Sequence, residues 1–178
     1  MVKQDLQVRT TRPANAIVEI KHLLKKQRAL MLWGPPGIGK SDIIQLIGDQ
    51  EGREVIDLRL LLMEPTDLRG IPYYNKDKNC MDWAPPVDLP NDPKSNAILF
   101  LDEMNAAPPA VQAAAYQLIL NRRIGNYVLP KDLSIVAAGN RETDRGVTYR
   151  MPSPLANRMV HIEMEVHFED WLKWATTN

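Results

Sequence analysis

Apolar residues recur along this chain in two rhythms, one helical and one of short unbroken runs. Between Ala14 and Gln27 they fall at Ile17, Ile20, Leu23 and Leu24, which predicts a helix starting beside Pro13. Ala29-Leu30-Met31-Leu32-Trp33 is wholly apolar and predicts a buried strand, with a helix from Ser41 to Asp49 after it. Val55 to Leu60 predicts a second strand, and Ile98 to Leu101 and Ser134 to Ala138 two more with no polar interruption. Val160 to Met164 alternates and predicts a fifth. A helix is expected from Pro108 to Arg122, with Val111, Ala114, Ala115 and Leu118 on one face, and helical spacing returns from Phe168. Strands alternating with helices predict an α/β fold with a mostly parallel sheet.

The stretch between the second and third strands breaks this rhythm. Glu64 to Gly70 is punctuated like a loop, and Ile71–Tyr74 with Met81–Ala84 flank a polar turn as a hairpin does. Pro85, Pro86, Pro90 and Pro93 then predict extended chain, an insertion of the kind that carries partner or substrate contacts. Arg123 to Leu129, around Gly125-Asn126, predicts a second hairpin.

Composition adds limits more than identity. The 178 residues are 44% hydrophobic and 25% charged, enough for one domain with a core. Lys+Arg and Asp+Glu both number 22, so no overall positive field marks a nucleic-acid binder. Lys21, Lys25, Lys26 and Arg28 read as the solvated face of a helix. Cys80 is the only cysteine, and His22, His161 and His167 lack metal-ligand spacing. No apolar run approaches membrane-spanning length, and Met1 to Arg12 lacks an apolar signal segment, so a cytoplasmic protein without membrane attachment is expected.

Chemistry enters at Gly34-Pro35-Pro36-Gly37-Ile38-Gly39-Lys40-Ser41, which fits G-x-x-x-x-G-K-[ST] between a strand and a helix. Glycines allow the backbone to approach a polyphosphate, so that N–H groups and the helix N-terminus face negative charge. These eight residues, with Asp42 in the first helical turn, are the candidate nucleotide-binding set. Lys40, expected on the solvent side of the loop, would meet the β- and γ-phosphates, and Ser41 would ligate Mg²⁺. Asp102-Glu103 end an apolar strand that delivers them to the same sheet edge. Asp102 would hold Mg²⁺ through its water shell, and Glu103 would orient and deprotonate the attacking water. Asn140, ending the next strand, admits two uses: an amide contacting γ-phosphate and water, or a left-handed turn.

Several of these segments together resemble AAA+ ATPases. Gly34–Ser41, Leu99–Glu103, Asn140 and Thr148–Met159 stand in that family's order. The runs Pro65–Gly70, Leu101–Pro109 and Ala138–Asp144 are similar to the MoxR branch, whose members act with von Willebrand factor A-domain proteins. The resemblance implies an AAA+ three-layer core with a five-stranded sheet and two inserted hairpins. It implies ATP and Mg²⁺ as ligands, a ring of copies, usually six, and chaperone-like remodelling of a protein partner. It makes Asn140 the sensor 1 residue and Arg158 an arginine finger that reaches a neighbouring subunit's γ-phosphate; by itself Arg158 is only an arginine after a proline-rich turn. Met159 replaces the family's usual aromatic, a soft apolar exchange. The family's helical lid follows such a core, and residues 1–178 are expected to be the core without that lid, which would begin near residue 170. A nucleotide switch with little hydrolysis and a DNA-associated loader are the alternatives. The intact Glu103 opposes the first, and the zero net charge opposes the second.

Overall fold

The computed structural model describes residues 10–141, 144, 148–149 and 151–177. Six parallel strands form the central sheet: β1 (Thr10–Thr11), β2 (Leu30–Trp33), β3 (Val55–Arg59), β6 (Ile98–Asp102), β9 (Ser134–Gly139) and β10 (Val160–Met164). Their order across the sheet is β1-β10-β2-β9-β6-β3. The five expected strands are all present. The sixth, β1, is an edge of two threonines paired with Glu163 and Met164, held by backbone bonds that leave no apolar signal.

Alternation along the strands divides the core between two faces. Leu30, Leu32, Phe100, Val136 and Ile162 pack against α1 (Pro13–Lys25) and α2 (Lys40–Glu51). Met31, Leu99, Leu101, Ile135 and Ala137 face the other way, onto α4 (Pro109–Asn121). Both sheet faces are therefore dry, which is why the central strands read as continuous apolar runs. No helix among the described residues is long and apolar enough to cross a membrane.

The expected loop at 64–70 is instead a helical turn, α3 (Pro65–Arg69). Glu64 caps it, Asp67 reaches back to the Glu64 N–H at 2.7 Å, and Pro65 opens it. A proline among polar residues reads as a break, yet at the first helical position it pre-sets the required φ. Leu68, fully buried, anchors the turn to the α4 side of the core. Another short helix, α5 (Ser153–Ala156), lies in the proline-rich segment before β10.

Both hairpins form, as β4 (Ile71–Asn75) with β5 (Cys80–Ala84) and β7 (Arg123–Ile124) with β8 (Tyr127–Val128). They are fastened together. Asp82 of β5, itself buried, accepts hydrogen bonds from Asn126 of the second hairpin and from Lys78 and Asn75 of its own. Trp83 packs over Gly125, and the Arg69 guanidinium lies 5.2 Å from the Trp83 ring centroid. Ile71, Tyr73, Tyr74 and Met81 remain exposed on the first hairpin.

Candidate nucleotide-binding and hydrolysis site

The sheet order reverses at β2: β9 lies on one side and β10 on the other. Open α/β sheets bind ligands outside the strand C-termini at such a reversal. The loop 34–39 leaves β2 there and enters α2, whose first residue is Lys40. Gly37 and Gly39 have φ of 77° and 88°, the left-handed region that glycine enters without steric cost. Among the described residues, the N–H groups of Gly37, Gly39, Lys40 and Ser41 donate to no protein acceptor. The loop and the helix start thus present a row of free donors, the arrangement that receives a polyphosphate. Pro35, Pro36 and Ile38 complete the loop, and Asp42 stands exposed in the first turn of α2.

Lys40 is not on the solvent side of this loop. It is buried, and Nζ donates to the carbonyls of Gly34 at 2.8 Å and Pro35 at 3.1 Å and to Oδ1 of Asn140 at 3.0 Å. The loop wraps over the side chain, and its own carbonyls hold the ammonium. One bond therefore joins the start of α2, which carries Lys40, to the end of β9, which leads into Asn140. Of the two uses open to Asn140, the structure shows the amide facing the phosphate loop.

The metal candidates also meet. Ser41 Oγ donates to Asp102 Oδ2 at 3.3 Å, while Asp102 Oδ1 accepts the Glu103 N–H at 2.8 Å. Two hard oxygen donors at this spacing suit adjacent positions around Mg²⁺, which is held by one or two protein oxygens together with phosphate and water. No cluster of three or more His, Cys, Asp or Glu side chains that could hold a metal ion occurs among the described residues. Glu103 is half-buried and has φ of +54°. A non-glycine residue there costs roughly 1–2 kcal/mol, a cost shared by Gln27, Asn79 and Arg122.

Burial pushes the Lys40 ammonium below its ordinary 10.5, against the raising influence of Asp102, Asp144 and Glu103. A bound triphosphate would raise it again, so the complex holds the proton more tightly than the free protein. Affinity for ATP is therefore expected to fall as pH climbs through the lowered value, before 10.5 is reached. Calorimetric titration from pH 7.5 upwards checks this, and a Lys40→Arg control should show no such decline, since arginine keeps its charge.

Arg158 stands elsewhere. It is exposed, and its guanidinium has no partner among the described residues. It precedes β10, whose Val160 pairs with Leu30 at the start of β2, whereas the phosphate loop follows the end of β2. Four strand residues at about 3.3 Å each, roughly 13 Å, separate the two levels. The turn bearing Arg158 is tied to β2 through His161. Trp33 Nε1 donates to His161 Nδ1 at 2.8 Å, so Nε2 carries the proton and donates to the Ala156 carbonyl at 2.8 Å. Arg141, next to Asn140, is held by Asp144 at 3.0 Å and Glu163 at 2.9 Å. Arg145 and Arg150, the other cations of this segment, lie outside the described residues.

One site residue carried no sequence signal of its own. Asn105 is buried, and its side chain bonds the backbone of Asn140 in both directions.

Comparison with known proteins agrees with this geometry. The sequence profile of the AAA domain, dynein-related subfamily, matches residues 29–159. Midasin of Giardia intestinalis is 28% identical over 167 residues, 89% of this chain but only 3% of midasin. A crystal structure of a provisionally assigned ATPase from Cytophaga hutchinsonii superposes with a TM-score of 0.65 at 20% identity, over 92% of this chain and 50% of that one. NtrX from Brucella abortus superposes at 0.56 and 15% identity, over 88% of this chain and 37% of its own. The chain thus spans half or less of each of these relatives. At such identities the two structures speak for the fold alone.

Proposed function

Because the chain belongs to the AAA domain family, dynein-related subfamily, we propose that it binds ATP with Mg²⁺ and hydrolyses it within a ring of copies. The observation that carries this reading is the convergence of Lys40, Ser41, Asp102 and Asn140, linked by hydrogen bonds, at the C-terminal edge of three adjacent strands. The loop N–H groups and Lys40 bind the phosphates, and Ser41 and Asp102 would hold Mg²⁺. Held there, the ion would supply neutralisation of the negative charge that develops on the phosphates. Glu103 takes a proton from water as its oxygen bonds to the γ-phosphorus, and the bond to the bridging oxygen breaks to release ADP. Asn140 orients that water and the γ-phosphate.

Arg158 completes a neighbour's site. Its place at the sheet edge away from its own phosphate loop, exposed and unpaired among the described residues, supports action in trans. The work done is remodelling of a protein partner of the MoxR kind, a von Willebrand factor A-domain protein. The apolar side chains on the fastened hairpins supply a contact surface for it.

Phosphate release from Mg²⁺-ATP by the wild type tests hydrolysis; nucleotide binding without release would leave a switch. Mixing tests the ring. Arg158→Ala and Glu103→Gln should each be inactive alone, while mixed rings regain part of the activity. Some of their interfaces pair an intact Glu103 with an intact Arg158. No recovery in rings shown to be mixed would mean that Arg158 works in cis or only structurally.

A further inference from the structure

Strand β6 ends at Asp102, and the chain turns away through the left-handed Glu103. Met104 N–H still reaches the Ala138 carbonyl of β9 at 2.9 Å, but beyond it β6 has no backbone to offer. The Asn105 side chain takes over. Its Nδ2 donates to the Asn140 carbonyl at 2.7 Å, and its Oδ1 accepts the Asn140 N–H at 3.2 Å. Only this amide orientation satisfies both groups. The carboxamide thus acts as one further peptide unit of the ladder, placed beside the strand end that carries Asn140.

Gly139 makes room for this. A Cβ there would lie 2.3 Å from Asn105 Oδ1, so any larger residue would push the amide off the strand. The Asn105 main chain is itself held. Its carbonyl accepts the Tyr149 N–H at 2.7 Å and Nε2 of Gln112, from α4, at 3.4 Å. Gln112 also donates to the Ala107 carbonyl at 2.9 Å. The hydrogen bonds of Asn105 are therefore spent on position, and none of them goes to Lys40, Ser41 or Asp102.

We infer that Asn105 is a positioning residue for hydrolysis: its carboxamide locks the Asn140 backbone to the turn carrying Glu103, setting the spacing between water-orienting amide and base. The inference rests on the ATPase reading above. Asn105 stands two residues from Glu103, and its target is the residue that holds Lys40 Nζ. Releasing the lock lets Asn140 and Glu103 drift relative to each other while the phosphate loop stays formed. Binding should survive and the chemical step should not. A displacement of about 1 Å between such groups costs roughly 100-fold in rate.

The test is a double-mutant cycle on kcat and on ATP affinity with Asn105→Ala, Asn140→Ala and the pair. Asn105→Ala should lower kcat roughly 100-fold with KM changed less than about twofold. In the Asn140→Ala background its effect should be clearly smaller than in the wild type, because the water-orienting amide that it positions is gone while the backbone it bonds remains. Melting curves monitor the fold. Should Asn105→Ala unfold, Asn105→Asp, equal in size but unable to donate from Nδ2, enters the same cycle. Additive losses in kcat, or a loss of ATP affinity in place of kcat, overturn the positioning role and leave the ATPase reading standing. A wild type that binds ATP and never hydrolyses it overturns both.

Discussion

Replacing Lys40 with alanine is expected to weaken ATP binding by at least roughly 100-fold while the protein stays folded. A hydrogen bond to a charged group is worth about 1.5–3 kcal/mol, and Lys40 would make such contacts to two phosphates. The structural side is less one-sided. Nζ holds the Gly34 and Pro35 carbonyls, so its removal takes the donor from the loop that should receive the nucleotide. That loss raises the cost of ordering the loop and adds to the affinity loss. Against it stands the desolvation of a buried ammonium, the influence that depresses its pKa, which the substitution relieves. The two partly cancel, leaving a change of about 1 kcal/mol, or roughly 2–4 °C in melting temperature for a chain of this size. Calorimetry with ATP-Mg²⁺ reads the first effect and a thermal melt the second. The wild type should gain melting temperature with ATP-Mg²⁺, as any ligand of the folded state causes, and the variant should not. Wild-type affinity in Lys40→Ala would remove the phosphate loop from the mechanism.

Much of this site is legible in the sequence because its signals are local. The glycine spacing of 34–41 needs only its own residues, and apolar runs such as Ile98–Leu101 announce strands buried on both faces. Since those strands are parallel, their C-termini share one edge, and Asp102 and Asn140 arrive beside the phosphate loop without further instruction. What stays hidden depends on partners distant in sequence. That Lys40 is buried follows from the loop folding over it and from Asn140, a hundred positions away. Asn105 looks like one more polar residue in a turn, and only the end of β9 gives it a purpose. The short helices α3 and α5 are too brief for periodicity and open at prolines, which also mark loops. The two threonines of β1 show that an edge strand can be specified by backbone bonds alone.

Glu103→Gln should bind ATP-Mg²⁺ as well as the wild type and hydrolyse it about 10² to 10⁴-fold more slowly, the usual worth of a general base. Several features make this substitution clean. The Glu103 carboxylate has no hydrogen-bond partner among the described residues, so an amide of the same shape breaks no bond. The backbone stays in the left-handed region in either case, so the strain at φ +54° is carried equally by both proteins. Melting temperatures should therefore match. Electrostatics moves affinity in the favourable direction if at all, because removing one negative charge near the phosphates lessens repulsion. The same change removes one of the acids that support the Lys40 charge, but Asp102 and Asp144 remain. Asp102→Asn makes the contrast. Asp102 receives the Ser41 hydroxyl and the Glu103 N–H, so its loss should disturb Mg²⁺-dependent binding as well as turnover. Single-turnover hydrolysis with saturating protein separates the steps: Glu103→Gln should trap bound ATP, and Asp102→Asn should fail to retain it. If Glu103→Gln turned over at the wild-type rate, the strained residue at the end of β6 would be a structural acid, and the proton would have to leave water by another route.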